Sequence, residues 1–156
     1  MELAKRGCRQ RIRLHAGASH PVTFERLDPS DNAERLEALS SDGPVLVFKH
    51  SPSCGVSVRA MQAVRDFRIA RPETPVFLVD VLVERSRSRQ LAHDLQIGHA
   101  SPQVILVHKG RAVWSASHWR VAADAIAEAV AEAVATTGGA TADHGANEVD
   151  ASNYRP

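Results

Sequence analysis

The stretch Val45-Leu46-Val47-Phe48-Lys49-His50-Ser51-Pro52-Ser53-Cys54-Gly55-Val56-Ser57 decides the fold. Its first four residues form a continuous apolar run, the mark of a strand covered on both faces of a sheet. His50 to Gly55 is a polar loop. Beyond it Val58, Met61, Val64 and Phe67 recur at helical spacing and predict an amphipathic helix. A buried strand therefore passes through a short loop into a helix, and Cys54 stands at the junction. Free backbone N–H groups and the positive end of the helix dipole stabilise an anion there. A thiolate forms most readily in such a place, and the thiolate is the attacking species in disulfide exchange. The alternative is a structural cysteine, because unpaired cysteines are among the most buried residues. The Ser/Pro/Gly character of the loop favours the reactive role.

Three residues after Cys54 stands Ser57 rather than a second cysteine. A C-x-x-C protein expels its substrate by closing an internal disulfide. A C-x-x-S protein stops at a mixed disulfide and needs an external thiol. Ser57 has two roles open to it, a hydrogen bond to the Cys54 sulfur or a helix cap. The remaining cysteine, Cys8, is distant in sequence, and a resolving role for it is the minor expectation.

Working outward, Val22 to Arg26 suits a short strand, and Asp28-Pro29-Ser30-Asp31 a turn and cap before a helix carrying Ala33, Leu36 and Leu39. Past the Cys54 helix, Pro72 and Pro75 bracket a turn into a buried strand, Val76 to Val79. A helix from Glu84 to Leu95 follows, with arginines on its outer face. Ser101-Pro102-Gln103 then leads into the strand Val104 to Val107. Lys109-Gly110 turns it back into Ala112 to Ala116. A last helix spans about Val121 to Ala135, with Ala125, Ile126, Ala129, Val130 and Val134 inward. The order β-α-β-α-β-α-β-β-α predicts a thioredoxin-like α/β fold, a mixed central β-sheet flanked by helices on both faces. In such folds a proline matching Pro102 is cis and packs beside the nucleophile, leaving the backbone of the preceding residue, Ser101, free to pair with an extended substrate. An ordinary trans proline opening a strand is the plainer alternative.

Composition bounds the function. The chain has 156 residues, 44% of them hydrophobic and 24% charged, enough for one domain with a proper core. A formal net charge of +1 gives no sign of a polyanionic or membrane partner, and 4% aromatics argue against a base-stacking surface. Two cysteines make no disulfide scaffold and, without a C-x-x-C pair, no obvious zinc site. No membrane span and no signal peptide are expected, so a cytoplasmic, reducing setting is. Residues 1–20 read as a basic extension, expected to be disordered, 21–136 as the domain, and 137–156 as a disordered tail with little to bury.

Four histidines flank the key segments: His50, His93, His99 and His118. His50 and His99 could assist proton transfer or, when charged, raise the thiolate fraction; a surface or hydrogen-bonding role is the plainer reading of each. For Trp114 and Trp119 packing is the default, and for Arg85, Arg87 and Arg89 a solvated face, with docking of an acidic thiol or protein as the sharper idea.

Three separated segments carry a family resemblance. They are Val47 to Ser57, His99-Ala100-Ser101-Pro102-Gln103-Val104, and Ser117-His118-Trp119. Together they resemble the YtxJ-type monothiol bacilliredoxins over about Val22 to Val134. One departure matters: the family usually shows T-C-P-I-S, and here Gly55 replaces the proline. The resemblance implies a thiol-disulfide oxidoreductase that reduces protein–bacillithiol mixed disulfides. Cys54 would be the nucleophile, with Ser57 beside it and Ser53, Gly55, Ser101, Pro102, His99 and His118 lining the substrate. It also implies bacillithiol as co-substrate, S-bacillithiolated proteins as partners, and no bound cofactor or metal. A monomer is favoured. A glutathione-dependent or iron–sulfur monothiol glutaredoxin-like protein, and a non-catalytic thiol sensor, remain the alternatives.

Overall fold

The computed structural model describes residues 22–27 and 33–138. The basic extension with Cys8, the Asp28–Asp31 cap and nearly all of the tail lie outside the described residues. The elements are β1 (Glu25–Arg26), α1 (Ala33–Leu39), β2 (Val45–His50), α2 (Gly55–Ala70), β3 (Val76–Asp80), α3 (Arg85–Asp94), β4 (Gln103–His108), β5 (Arg111–Ser117), a 3-10 turn (His118–Arg120) and α4 (Ala123–Gly138). The five strands form one sheet in the order β1-β3-β2-β4-β5. The β1–β3 and β2–β3 pairs are parallel, and β2–β4 and β4–β5 are antiparallel. This is the expected thioredoxin fold, with a first strand of two residues instead of five.

Successive side chains on a strand point to opposite faces, so the apolar runs of β2 and β4 feed two cores. Leu46, Phe48, Val104 and Leu106 meet Ala60, Val64 and Phe67 of α2 and Ile126, Ala129 and Val130 of α4. Val45, Val47, Ile105 and Val107 meet Leu36 of α1, Leu91 of α3 and Leu95 just beyond it. The two middle strands have no solvent face, which is why their sequence shows no polar alternation.

Two helical stripes differ from expectation. Val58 is 59% exposed, and the buried face of α2 is Ser57, Ala60, Val64 and Phe67. Small side chains at 57 and 60 let the first turns of α2 lie close to the sheet, and the larger Val58 turns outward. On α4 the inner face is Ile126, Ala129 and Val130; Ala125 is half-buried and Val134 is 53% exposed.

The β4–β5 connection is a two-residue turn with φ 51° at Lys109 and 72° at Gly110. Left-handed values at both positions match the twist of the hairpin. Gly110 is required twice over, because a Cβ there would lie 2.9 Å from the Cβ of Glu37. Its N–H donates to Ser40 Oγ, and that of Lys109 to the Ser40 carbonyl, which joins the hairpin to the end of α1. No helix among the described residues is long and apolar enough to cross a membrane.

Candidate functional site

Ser51 to Cys54 closes a β-turn, with the Cys54 N–H donating to the Ser51 carbonyl at 3.1 Å and Pro52 at the second position, where its fixed φ suits the turn. Cys54 then serves as N-cap of α2 in an extended conformation (φ −108°, ψ 121°), and its carbonyl accepts the first helical hydrogen bond, from Val58. It is half-buried and is the one free cysteine among the described residues. No closed side-chain capping bond is formed by the sulfur. The backbone N–H of Ser57 first, then that of Val56, nevertheless face it closely enough to hold the thiol below its usual pKa, with the Ser57 hydroxyl adding to them and burial opposing.

Ser57 is fully buried, and its Oγ accepts from the Ser51 N–H at 3.2 Å. It is the third residue of α2 rather than its cap. The hydroxyl keeps its own proton to offer the sulfur while it ties the loop to the helix. Ser53 and Gly55 are exposed on the same loop, and the Ser53 hydroxyl lies 3.4 Å from that of Ser51.

The register of β2 and β4 places Lys49 opposite Gln103. The Cys54 loop, which leaves the end of β2, and Pro102, which enters β4, therefore lie at the same end of the sheet. The Ser101–Pro102 bond is cis and Pro102 is buried. Among the described residues the Ser101 backbone makes no hydrogen bond to another backbone group, and its hydroxyl is buried without a partner. The His118 N–H donates to the Pro102 carbonyl at 3.0 Å. That bond fixes the 3-10 turn beside the proline, with the exposed His118 at a left-handed φ of 55°. The same turn reaches α2, where the Arg59 guanidinium stands 5.3 Å from the centre of the Trp119 ring. Trp119 is 65% exposed, against the packing default, whereas Trp114 does pack on the α2–α4 core.

The histidines depart from the idea of a cation that feeds the thiolate. Burial holds His50 below its ordinary pKa; the Asp80 carboxylate and the Ser57 backbone oppose this, and Arg65 adds to it. His99 is lowered by burial first, then by the charges of Lys49 and Arg89, against the Ser88 backbone. Both therefore favour the neutral imidazole. His99 Nδ1 is taken up by the Lys49 ammonium at 2.8 Å rather than left free for a substrate. His93, at the end of α3, is exposed and pairs with Asp94. Of the three arginines, Arg85 and Arg89 are solvated. Arg87 is half-buried, and its Nε and one terminal nitrogen have no partner among the described residues.

Sequence reasoning missed Lys49. It is fully buried, with its ammonium bonded to His99 Nδ1 and, at 2.9 Å, to Gln103 Oε1, and desolvation lowers its pKa to about 8. The signal was present: alternation along β2 puts residue 49 on the inward face shared by Val45 and Val47. No group of three or more His, Cys, Asp or Glu side chains converges among the described residues.

A half-buried, stabilised thiol at a strand–helix junction, at one end of the sheet with a cis proline, defines a thiol-disulfide exchange protein of thioredoxin architecture. The chain matches, over residues 25–126, the family described as "Monothiol bacilliredoxin BrxC", and it belongs to that family. Solved structures agree on the fold. One, described as a candidate oxidoreductase with a thioredoxin fold, is 27% identical with a TM-score of 0.56 and covers 62% of this chain and 86% of its own. Thioredoxin f2 of Chlamydomonas reinhardtii (16% identity, TM-score 0.55, 70% and 95%) and the thioredoxin of Fasciola hepatica (18%, 0.51, 64% and 89%) share the architecture.

Proposed function

We propose that this protein reduces protein–bacillithiol mixed disulfides by a monothiol mechanism centred on Cys54. The observation that carries the reading is the Cys54 sulfur at the start of α2, half-buried, facing the N–H groups of Val56 and Ser57, with a serine where a resolving cysteine would stand. The Cys54 thiolate attacks the bacillithiol sulfur of the modified protein. A bond forms between those two sulfurs and the bond to the target sulfur breaks. The electron pair leaves on the target cysteine, which takes a proton from water. Cys54 is left as a mixed disulfide with bacillithiol. A second small thiol, deprotonated, attacks the bacillithiol sulfur and releases Cys54 as the thiolate. The net change is one reduced protein thiol and one oxidised pair of small thiols. A depressed pKa serves both halves, because it raises the thiolate fraction for attack and makes Cys54 the better leaving group in the return step.

Ser101, Pro102 and the neighbouring His118 flank the target chain in this reading, with Ser53 and Gly55 on the opposite rim. The setting is the cytoplasm, where small thiols keep cysteines reduced. The test is turnover on an S-bacillithiolated protein with bacillithiol as co-substrate. The wild type and Cys8→Ser release the target thiol, and Cys54→Ser does not. Full activity of Cys54→Ser would refute the mechanism. A chain that accepts bacillithiol on Cys54 yet never frees a protein thiol would be a sensor instead.

A further inference from the structure

We propose that Lys49 is a positioning residue of the redox site, its buried ammonium locking the Gly98–Pro102 loop against β2 and so fixing the Ser101 backbone at the Cys54 end of the sheet. This rests on the reading of Cys54 and the Ser101–Pro102 loop as one exchange site.

A cation with no solvent exposure ordinarily pairs with a carboxylate, because desolvation is too costly otherwise. Lys49 makes no ion pair among the described residues. Its partners are two neutral groups, and both belong to the substrate loop or to the residue that anchors it. Gln103 works in both directions: Oε1 accepts from Lys49 and, at 3.3 Å, from the Ala100 N–H, while Nε2 donates to the Gly98 carbonyl at 2.9 Å. His99 accepts the ammonium on Nδ1, which fixes it as the neutral tautomer with its proton on Nε2, on the side of the Ser88 backbone of α3. The ammonium thus ties β2, the loop and the start of β4 at one point. A methionine would fill the same volume on the apolar face of Val45 and Val47 without desolvating a charge. What the lysine supplies is geometry. Ser101, whose backbone would pair with a target, has no hydrogen bonds of its own among the described residues, so its position depends on residues 98–100 and 103.

The experiment compares Lys49→Met, His99→Leu and His99→Gln with the wild type in three readouts. Amide hydrogen exchange needs no substrate: Lys49→Met and His99→Leu speed exchange at Ala100 and Gln103 while β3 stays protected. His99→Gln, whose side-chain oxygen can take the ammonium, stays close to the wild type. In turnover the two disruptive variants raise KM on the order of tenfold, with kcat changed far less, as expected when bonds to a charged group that position the substrate are lost. The rate of Cys54 alkylation stays as in the wild type, because the groups facing the sulfur are untouched. A wild-type exchange pattern and KM in Lys49→Met, or loss of protection across the whole sheet in both His99 variants alike, would overturn the proposal. Should Lys49→Met not fold, the contrast between His99→Leu and His99→Gln decides it. If the wild type does not act on the bacillithiolated protein, the proposed function fails, and the exchange pattern alone judges Lys49.

Discussion

At the scale of single residues the site divides its work between two neighbours of the sulfur. The backbone N–H groups of Ser57 and Val56 lower the Cys54 pKa by position alone, and no substitution other than proline removes them. The Ser57 hydroxyl contributes last, while its oxygen holds the Ser51 N–H. Ser57→Ala should therefore shift the midpoint of Cys54 alkylation against pH upward, towards that of an ordinary thiol, without restoring it fully. The same change deletes the anchor of Ser51 and should lower stability by about 1 kcal/mol, measured by denaturant unfolding. An unshifted alkylation midpoint would remove Ser57 from the chemistry and leave it a purely structural role.

Lys49 gives a second prediction at this scale. Its folded pKa of about 8 lies below the usual lysine value, so folding disfavours the charged form. Below pH 8 the lysine is charged in both states and its full cost is present. Between there and its unfolded pKa the unfolded chain binds more protons, so stability rises with pH. Comparing wild type with Lys49→Met by thermal melts, the wild type should gain relative to the variant as pH goes from 8 to 10. A constant difference across that range would contradict the buried ammonium.

At the scale of elements, the first turn of α2 tests how much of the site depends on Gly55. Nothing lies within 4 Å of where its Cβ would be. Gly55 occupies the first helical position, where proline is favoured, and Cys54 before it already has the extended conformation a following proline requires. The N–H groups that face the sulfur belong to Val56 and Ser57, so a proline at 55 removes none of them. Gly55→Pro should raise stability by about 0.4–1 kcal/mol, through a less free unfolded chain, and keep exchange activity. Gly110 is the opposite case. Its left-handed φ and the approach of Glu37 leave no room for a side chain, so Gly110→Ala should cost at least about 1 kcal/mol. Denaturant midpoints of the two variants should move in opposite directions.

At the scale of the whole molecule, the order of elements and the Cys54 junction were legible because strands buried on both faces announce themselves as unbroken apolar runs. The cis proline was legible only through resemblance. What escaped was set by packing across the sheet. The stripe of α2 was read one residue off, at Val58, because Ser57 and Ala60 are too small or too polar to look like core. Lys49 escaped because a charged residue in an apolar run reads as the end of a strand. The alternation along β2 places it inward, and its pairing with Gln103 and His99 shows how the charge is accommodated there. The bond from Lys49 to His99 Nδ1 was likewise invisible in the sequence.

The central claim is that Cys54 alone takes up the small thiol and releases the protein. Intact-mass spectrometry after mixing the protein with one equivalent of an S-bacillithiolated target reads both events at once. One bacillithiol adduct, mapped to Cys54, together with a target returned to its unmodified mass, is the predicted result. A target still carrying its adduct beside an unmodified protein, or an adduct on Cys8 with Cys54 free, would contradict it.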